Sequence, residues 1–516
     1  MKLTDAISRA YDLLKARKED VRAGGHAAAR VKLEEAEQLL NAMLGRKLDN
    51  YMLLFLIAAC AVERAHNGLA IALLARVIEQ KPDFYEAYNN MGAALKAENH
   101  DSLARAAWAK ALTLRDNDPD LLSNLGTLHI HNGTPEVAER LLKEAIALAP
   151  EHADAQFNLS FALLEQGKWR QGFRQYDEWG TKSGNRPERN YWRMGTSRPG
   201  GRTPKWNGEH GKHVVVFGEQ GVGDEVMFAS CIPDTIRDCQ AVVFDCHPRL
   251  ATVFERSLGI PCFGTRKRDE IEWVETLPHA IEAQCAVSTL ARFYRRRAGD
   301  FPKTPYLSAR PDLVEKWRAR LSPGLNVGIS WRGGNMKTRM DLRSIPLPAL
   351  RPILDQARSG PVRFYSLQYH QDAMEEVDEI TGANGMPLVS HWYDANGWTC
   401  DQHGRPVEKG SLEDQFALIA ALDLVISICA SAVHFAGALG KECWCLVPAR
   451  PAWRYGLKGP MPWYGTVRLF RQADTEPWQP VIETVAEELA RRATRRSVPE
   501  RPAITHARGR ERRTAC

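Results

Sequence analysis

Residues 214–230, VVVFGEQGVGDEVMFAS, put an apolar run, a turn with three glycines, the acids Asp224 and Glu225, and the start of a helical pattern in one stretch. A strand, a glycine turn and a helix make a common anion site, because the helix start offers unpaired N–H groups. Two familiar versions can be tested on the letters. A dinucleotide turn wants a third glycine where Val226 stands, although Asp245, closing AVVFDC, lies roughly where a ribose-binding acid would. A P-loop needs Gly-Lys-Ser/Thr, and that is missing. What remains is a carboxylate, Asp224, on a turn whose glycines, Gly223 among them, let a second molecule come close to the backbone. That arrangement suits a general base, with Glu219 and Gln220 placed to orient it or the acceptor group it deprotonates.

Four later motifs carry groups suited to a phosphate-bearing ligand. GISWRGGNMKTRMDLRSIPL supplies Ser330, Arg332, Gly333, Gly334, Arg339 and Arg343: hydroxyl, guanidinium and free backbone N–H groups that match phosphate oxygens. YSLQYH ends an apolar run with Ser366 and Gln368, a place for a base or ribose contact. SICASAVHFAGALGK opens a helix with Ser431 and His434, and Ala436, Gly437 and Ala438 let that helix pack closely. A helix start attracts a diphosphate, and a histidine there can donate to it. VPARPAWRYGLKGPMPWYGTVRLFRQ sets Trp453, Arg454, Trp463 and Tyr464 in a loop expected to cover the site. Each motif also has a plainer reading, since lone histidines are more often structural and arginines mostly solvated. Their common position at strand ends favours the functional one. No acidic pair with metal-ligand spacing is evident in these loops, so neither a metal nor a resident cofactor is expected.

Such groups must be held by a scaffold, and the first third of the chain is a repeat. Met91, Leu125 and Leu159 lie 34 residues apart, and the same shift carries Gly92 to Gly126, Ala104 to Ala138 and Ala111 to Ala145. That is the tetratricopeptide period, with small residues where two helices of a hairpin meet and proline near the end of a repeat, as at Pro82 and Pro150. VKLEEAEQLL reads as the second helix of an earlier, irregular repeat, and Asp154 to Gly180 as a terminal, capping unit. Asn90, Asn124 and Asn158 share one repeat position, with Asn89 beside the first. They are candidates for a ladder along an extended ligand or for hydrogen bonds between helices.

After Gly180 the composition shifts to Gly, Pro and Arg, and from Lys212 short apolar runs alternate with helical patterns. HVVVFG, AVVFDC and AVSTL form a first set; NVGISW, VRFYSL, LVISIC and CWCLV form a second. The spacing predicts an α-solenoid over 1–180, a linker over 181–211, two doubly wound α/β lobes over 212–310 and 311–490, and a basic tail over 491–516. Ligands of such lobes sit outside the carboxyl ends of the strands, where the motifs above fall.

At 516 residues the chain has ample surface to bury in several cores. Its 11 cysteines show no repeated spacing, and Cys443 and Cys445 should share one face of a buried strand, which fits a reducing compartment. The amphipathic start MKLTDAISRAYDLLKARKED is unlike a signal peptide, and no apolar run is long enough to span a membrane, so a soluble, cytoplasmic protein is expected. Much of the net charge of +6 comes from the arginines after Ala490.

Taken together, PKWNGE, GEQGVGDEVMFAS, GISWRGG with RSIPL, SLEDQFALIAALDLVIS, VHFAGALGK and AWRYG with PWYGTVRLFRQ resemble the bacterial and phage glycosyltransferases that join tetratricopeptide repeats to a heptosyltransferase-like GT-B domain. The eukaryotic O-GlcNAc transferase architecture is a more distant resemblance. It spans about Tyr51 to Arg491. The resemblance implies a nucleoside-diphosphate sugar as co-substrate, a metal-independent transfer to a protein or glycan hydroxyl, Asp224 as base, and His434 at the donor diphosphate. Donor contacts at Ser330, Arg332, Gly333, Arg343, Ser366, Gln368, Ser431, Trp453 and Arg454 belong to the same expectation. The chain departs from that family at SICASAVH, where Cys429 replaces an aspartate and Ala430 a threonine. Two other readings stay open: a repeat scaffold whose α/β body has lost catalysis, and transfer to a nucleic acid bound by Arg292 to Arg297 and the tail.

Overall fold

The computed structural model describes residues 3–22, 26–44, 50–180, 182–183, 203–266, 273–333, 340–359, 361–368, 371–382, 385, 387–391, 412–473 and 476–497. A long helix pair, α1 (Leu3–Arg22) and α2 (His26–Leu44), comes first. Four regular pairs follow: α3 (Tyr51–Glu63) with α4 (Asn67–Gln80), α5 (Tyr85–Ala97) with α6 (Asp101–Leu114), α7 (Pro119–His131) with α8 (Pro135–Leu148), and α9 (Ala153–Glu165) with α10 (Trp169–Trp179). Their first helices start 34 residues apart, so the period read from the letters is the period of the solenoid. The turn inside each of these four regular pairs holds one left-handed residue at the same register: Ala65 (φ 59°), Asn99 (62°), Gly133 (69°) and Gly167 (71°). Such a residue ends a helix by turning the chain back over its last carbonyls. The small positions allow close crossing: a Cβ on Gly92 would stand 2.6 Å from the Trp108 ring, and one on Gly126 2.7 Å from Leu142.

The rest is α/β. In the first lobe β1 (His213–Phe217), β2 (Ala241–Asp245), β3 (Cys262–Phe263) and β4 (Ala283–Ala286) are parallel in the order β3-β2-β1-β4. Its helices are α11 (Val222–Ala229), α12 (Ile232–Asp238), α13 (Ala251–Leu258) and α14 (Leu290–Tyr294). After α15 (Pro311–Arg318), the second sheet takes β5 (Leu325–Ser330), β6 (Val362–Ser366), β7 (Val389–Ser390), β8 (Leu424–Ile428), β9 (Cys443–Val447) and β10 (Val467–Arg471), parallel in the order β10-β9-β8-β5-β6-β7. Helices α16 (Met340–Arg343), α17 (Arg351–Leu354), α18 (Gln356–Ser359), α19 (Gln371–Glu379), α20 (Glu413–Ala421), α21 (Ser431–Leu439) and α22 (Gln479–Ser497) complete it. Parallel strands are covered on both faces, which is why β5, β8 and β9 are buried throughout. Cys443 and Cys445 do share one face, while Trp444 and Leu446 face the other core.

Several boundaries differ from the sequence reading. AVSTL is not a strand: β4 ends at Ala286, and Val287–Thr289 turn into α14. Ser288 and Thr289 donate to Glu219 and Asp177, which draws the chain off the sheet. Strands β3, β7 and β10 had not been read; the first two are two residues long. Residues 203–211 belong with the first lobe, since Trp206 is buried and its N–H donates to the Gln284 carbonyl at 2.8 Å. Helix α22 runs past the boundary expected at 490, to Ser497. Residues 184–202 of the expected linker and 498–516 of the tail lie outside the described residues. The last repeat ends the solenoid against the α/β body. Trp169, Phe173 and Tyr176 of α10 enter one core with Trp206, Phe228, Trp453 and Trp463 of both lobes. Among the described residues no helix is long and apolar enough to cross a membrane.

Candidate functional site

In each sheet the strand order reverses once, between β1 and β4 and between β5 and β8, and ligands of open α/β sheets lie outside the carboxyl ends there. The two points face each other, because α11 leaves β1 and α21 leaves β8, and these helices pack together. Gly223 is what allows it: a Cβ there would stand 3.1 Å from the Ser431 Cα and 3.2 Å from the His434 ring. The glycine expected to admit a substrate thus admits the second lobe. One residue on, Asp224 crosses the gap to Arg454, Oδ1 to Nη2 at 2.6 Å, with side chains 23% and 16% exposed. Burial works against the charge on Arg454, and Asp224 with the phenols of Tyr455 and Tyr176 outweighs it, so the guanidinium titrates above its ordinary range.

The turn before Asp224 is clamped. Gln220 is a non-glycine residue at φ 61°, a strain of order 1–3 kcal/mol that its surroundings must hold. Its side-chain amide donates to the Tyr176 hydroxyl at 2.6 Å, and its carbonyl accepts from Arg266 at 2.8 Å. Glu219 accepts from the Ser288 backbone and hydroxyl. Beneath them Glu225, fully buried, pairs with Arg266 and accepts the His247 N–H at 2.7 Å. Asp245 is occupied by the Thr265 N–H and hydroxyl, both at 2.9 Å, so a ribose role has no support.

On the other side, Ser431 opens α21 and Arg343 donates to the Cys429 carbonyl just before it. His434 is buried, with Nδ1 3.1 Å from the Tyr464 hydroxyl and Nε2 3.3 Å from that of Tyr455. Burial pushes its pKa well below the ordinary histidine value, and the charges of Arg454 and Arg343 push the same way. The ring is therefore neutral and held at both nitrogens, so a bond to a diphosphate would require a phenol to give way.

Other expected donor contacts are tied up within the fold. Arg332 forms a fork with Glu376 of α19, at 3.1 and 2.8 Å. Gln368 donates to the Ser330 hydroxyl at 2.7 Å and to the Arg332 carbonyl at 2.9 Å, and its N–H donates to Ser366 at 3.2 Å; all three side chains are buried. A Cβ on Gly333 would meet Ile428 at 2.6 Å. Trp453, expected as a cover, is core: its ring lies 5.8 Å from Phe173 and 6.3 Å from Phe228. The loop closes on α10 and α11 because it carries aromatics that these helices bury. Gly334 and Arg339 lie outside the described residues.

The repeat asparagines bond between repeats: Asn124 donates to Asn89 at 3.0 Å and Asn158 to Thr127 at 2.8 Å. Arginines of the basic stretch are likewise engaged, Arg292 with Asp177 at 3.0 Å, the buried Arg295 with Asp234 at 2.8 Å, and Arg297 with Asp300 at 2.9 Å. Arg296 and Arg297 remain exposed, the latter's side chain by 85%. A cavity of about 260 Å³ beside Arg468, Arg491 and Trp444 opens at the amino ends of β9 and β10, away from these groups. Among the described residues no three His, Cys, Asp or Glu side chains converge as metal ligands. Tyr176, Arg266 and Glu376 escaped sequence reasoning: Tyr176 and Glu376 lie within helices, and Arg266 follows β3, a strand too short to show a pattern.

No family model matches this chain. Protein FlbA of Caulobacter vibrioides is 27% identical over 467 residues, covering 82% of this chain and 75% of FlbA. The human protein O-mannosyl-transferase TMTC3 is 35% identical over 97 residues, 19% of this chain. The chain thus spans only 11% of TMTC3, a stretch shorter than three repeats. Among solved structures, MamA of Desulfovibrio magneticus RS-1 matches with a TM-score of 0.26 at 16% identity, covering 33% of this chain and 91% of MamA. A thermophilic TPR protein of Thermus thermophilus matches with a TM-score of 0.28 at 16% identity, covering 32% of this chain and 91% of its own.

Proposed function

We propose that this chain is a glycosyltransferase that moves a sugar from a nucleoside-diphosphate sugar to an acceptor hydroxyl between its lobes. The observation that carries the reading is Asp224 set 2.6 Å from Arg454 beside the start of α21, a carboxylate and a cation where the switch points of two parallel sheets meet. In this reading Asp224 takes the acceptor's proton as the acceptor oxygen bonds to the anomeric carbon. The bond from that carbon to the diphosphate breaks, and its electron pair leaves on the diphosphate oxygen. Arg454, Arg343 and the first N–H groups of α21 face the charge that develops there, and no step uses a metal. His434, neutral between two phenols, holds Tyr455 and Tyr464 in place behind Arg454. The acceptor is a protein or glycan selected in part by the solenoid. The likeness to a protein O-mannosyl-transferase supports sugar transfer over a short stretch only.

The test is a thermal-shift panel of nucleotides and nucleotide sugars, followed by turnover. A nucleoside diphosphate at 100 times its Kd should stabilise by about 2.7 kcal/mol, and its sugar ester should be consumed. A panel without any shift removes the reading. Nucleotide binding without turnover would support a second reading, a repeat scaffold on a non-catalytic α/β body. Two observations favour that one: Arg332 is committed to Glu376, and Cys429 stands where the resembled family carries an aspartate.

A further inference from the structure

We infer that the last repeat helix supplies a positioning residue of the site, Tyr176, and that the solenoid therefore takes part in setting the geometry of transfer. This rests on the transferase reading of the Asp224 cleft. Tyr176 belongs to α10, yet its hydroxyl lies 2.6 Å from the Gln220 amide nitrogen, four residues before Asp224. Its ring is buried among Phe157 (5.4 Å), Phe228 and Trp453 (both 6.3 Å), so the hydroxyl is aimed by packing from the repeat and from both lobes. The next residue, Asp177, is buried and accepts from Thr289 at 2.7 Å, Arg292 at 3.0 Å and Lys205 at 2.9 Å. Thr289 adjoins Ser288, which donates to Glu219. Helix α10 thus reaches both Gln220 and Glu219, the first directly and the second through the turn that follows β4.

That turn needs holding. Gln220 is in the left-handed region without being glycine, and Arg266 fixes only its carbonyl. A side chain anchored from outside the lobe keeps residues 219–224 in one conformation, and a general base works only when its oxygen stays within hydrogen-bond reach of the proton. Tyr176 touches no reacting atom in this scheme; it acts through Gln220.

The experiment compares full-length parent, Tyr176→Phe and Gln220→Ala, singly and combined. Phenylalanine keeps the ring packing and removes the hydroxyl. The expected result is kcat for sugar transfer lowered about 10-fold, donor KM within twofold of the parent, and faster amide exchange over residues 218–224. The double variant should be no worse than the poorer single one, because both break the same link. A purely structural tyrosine would instead lower the melting temperature and leave kcat intact, which would overturn the inference. So would unchanged exchange over residues 218–224. A parent that turns over no nucleotide sugar would refute the transferase reading on its own, and the exchange measurement would still decide whether α10 sets the turn.

Discussion

Asp224 and Arg454 hold each other across the lobes, and the proposed chemistry asks both to act on a substrate instead. Asp224→Asn keeps the shape and can still accept a bond from Arg454, but it cannot take a proton. Sugar transfer is expected to fall by about 100-fold or more, the scale of general base catalysis, with nucleotide binding retained in calorimetry. Transfer at the parental rate would take Asp224 out of the mechanism. His434 makes a separate prediction from its depressed pKa. In the unfolded chain the imidazole protonates near its ordinary value of 6.5, whereas in the fold it stays neutral to lower pH. Its contribution is therefore present above about pH 6.5 and is lost as pH falls toward the folded pKa, by up to about 1.4 kcal/mol per pH unit. His434→Gln should be less stable at pH 8 yet lose less between pH 6.5 and 5, as read from urea midpoints. Equal acid slopes would mean the ring is charged in the fold. Asp224 was legible because a glycine turn after an apolar run announces itself locally. The neutrality of His434 was not, since Tyr455, Tyr464 and two arginines reach it from other segments.

The solenoid was legible as helix pairs because Met91, Leu125 and Leu159 repeat the core at a fixed period. Its turns carry a second repeat, hidden by varied residue types: Ala65, Asn99, Gly133 and Gly167 are all left-handed. Glycine and asparagine suit that conformation, whereas the Cβ of alanine crowds the following carbonyl, at a cost of roughly 1–2 kcal/mol. Ala65 is exposed, so nothing else depends on its methyl. Ala65→Gly should accordingly raise stability by about 0.5 to 1 kcal/mol after the extra chain entropy of glycine is subtracted, visible as a higher melting temperature. A lower one would show that the α3–α4 turn is not held in this conformation in solution. In the lobes the long apolar runs of β1, β5, β8 and β9 could be read, because strands covered on both faces are apolar throughout. Two-residue strands such as β3 and β7 offer no pattern to read. The packing under the Trp453–Tyr464 loop was not legible, because nothing local says that Phe173 and Phe228 lie beneath it.

Across the whole molecule, one core runs from α9 and α10 through the first lobe to one face of the second sheet, while α1 to α4 gather around a core of their own. The division into solenoid and two lobes could be drawn from composition, but this continuity could not. The residues that make it, such as Phe173 with Trp453 or Asp177 with Arg292, are more than a hundred positions apart. A shared core predicts shared unfolding: α9 and α10 should exchange amide protons at the rate of the lobes, and α1 to α4 should open at lower free energy, as the far end of a stack does. Asp177 is the point at which this can be broken. Its carboxylate, 2% exposed, meets Lys205 and Arg292, whose own side chains are 56% and 31% exposed. Asp177→Asn takes the counter-charge from Lys205 and leaves Arg292 with Glu178 alone, at 3.2 Å, a loss that solvent softens at Lys205 more than at Arg292, for a total of about 2 kcal/mol. Calorimetry of the variant is expected to resolve a separate transition below the main one, and exchange should assign it to α9 and α10 along with the rest of the solenoid. A single transition, merely shifted downward, would mean that the aromatic contacts of Trp169, Phe173 and Tyr176 suffice to keep repeat and lobes one unit without the buried carboxylate.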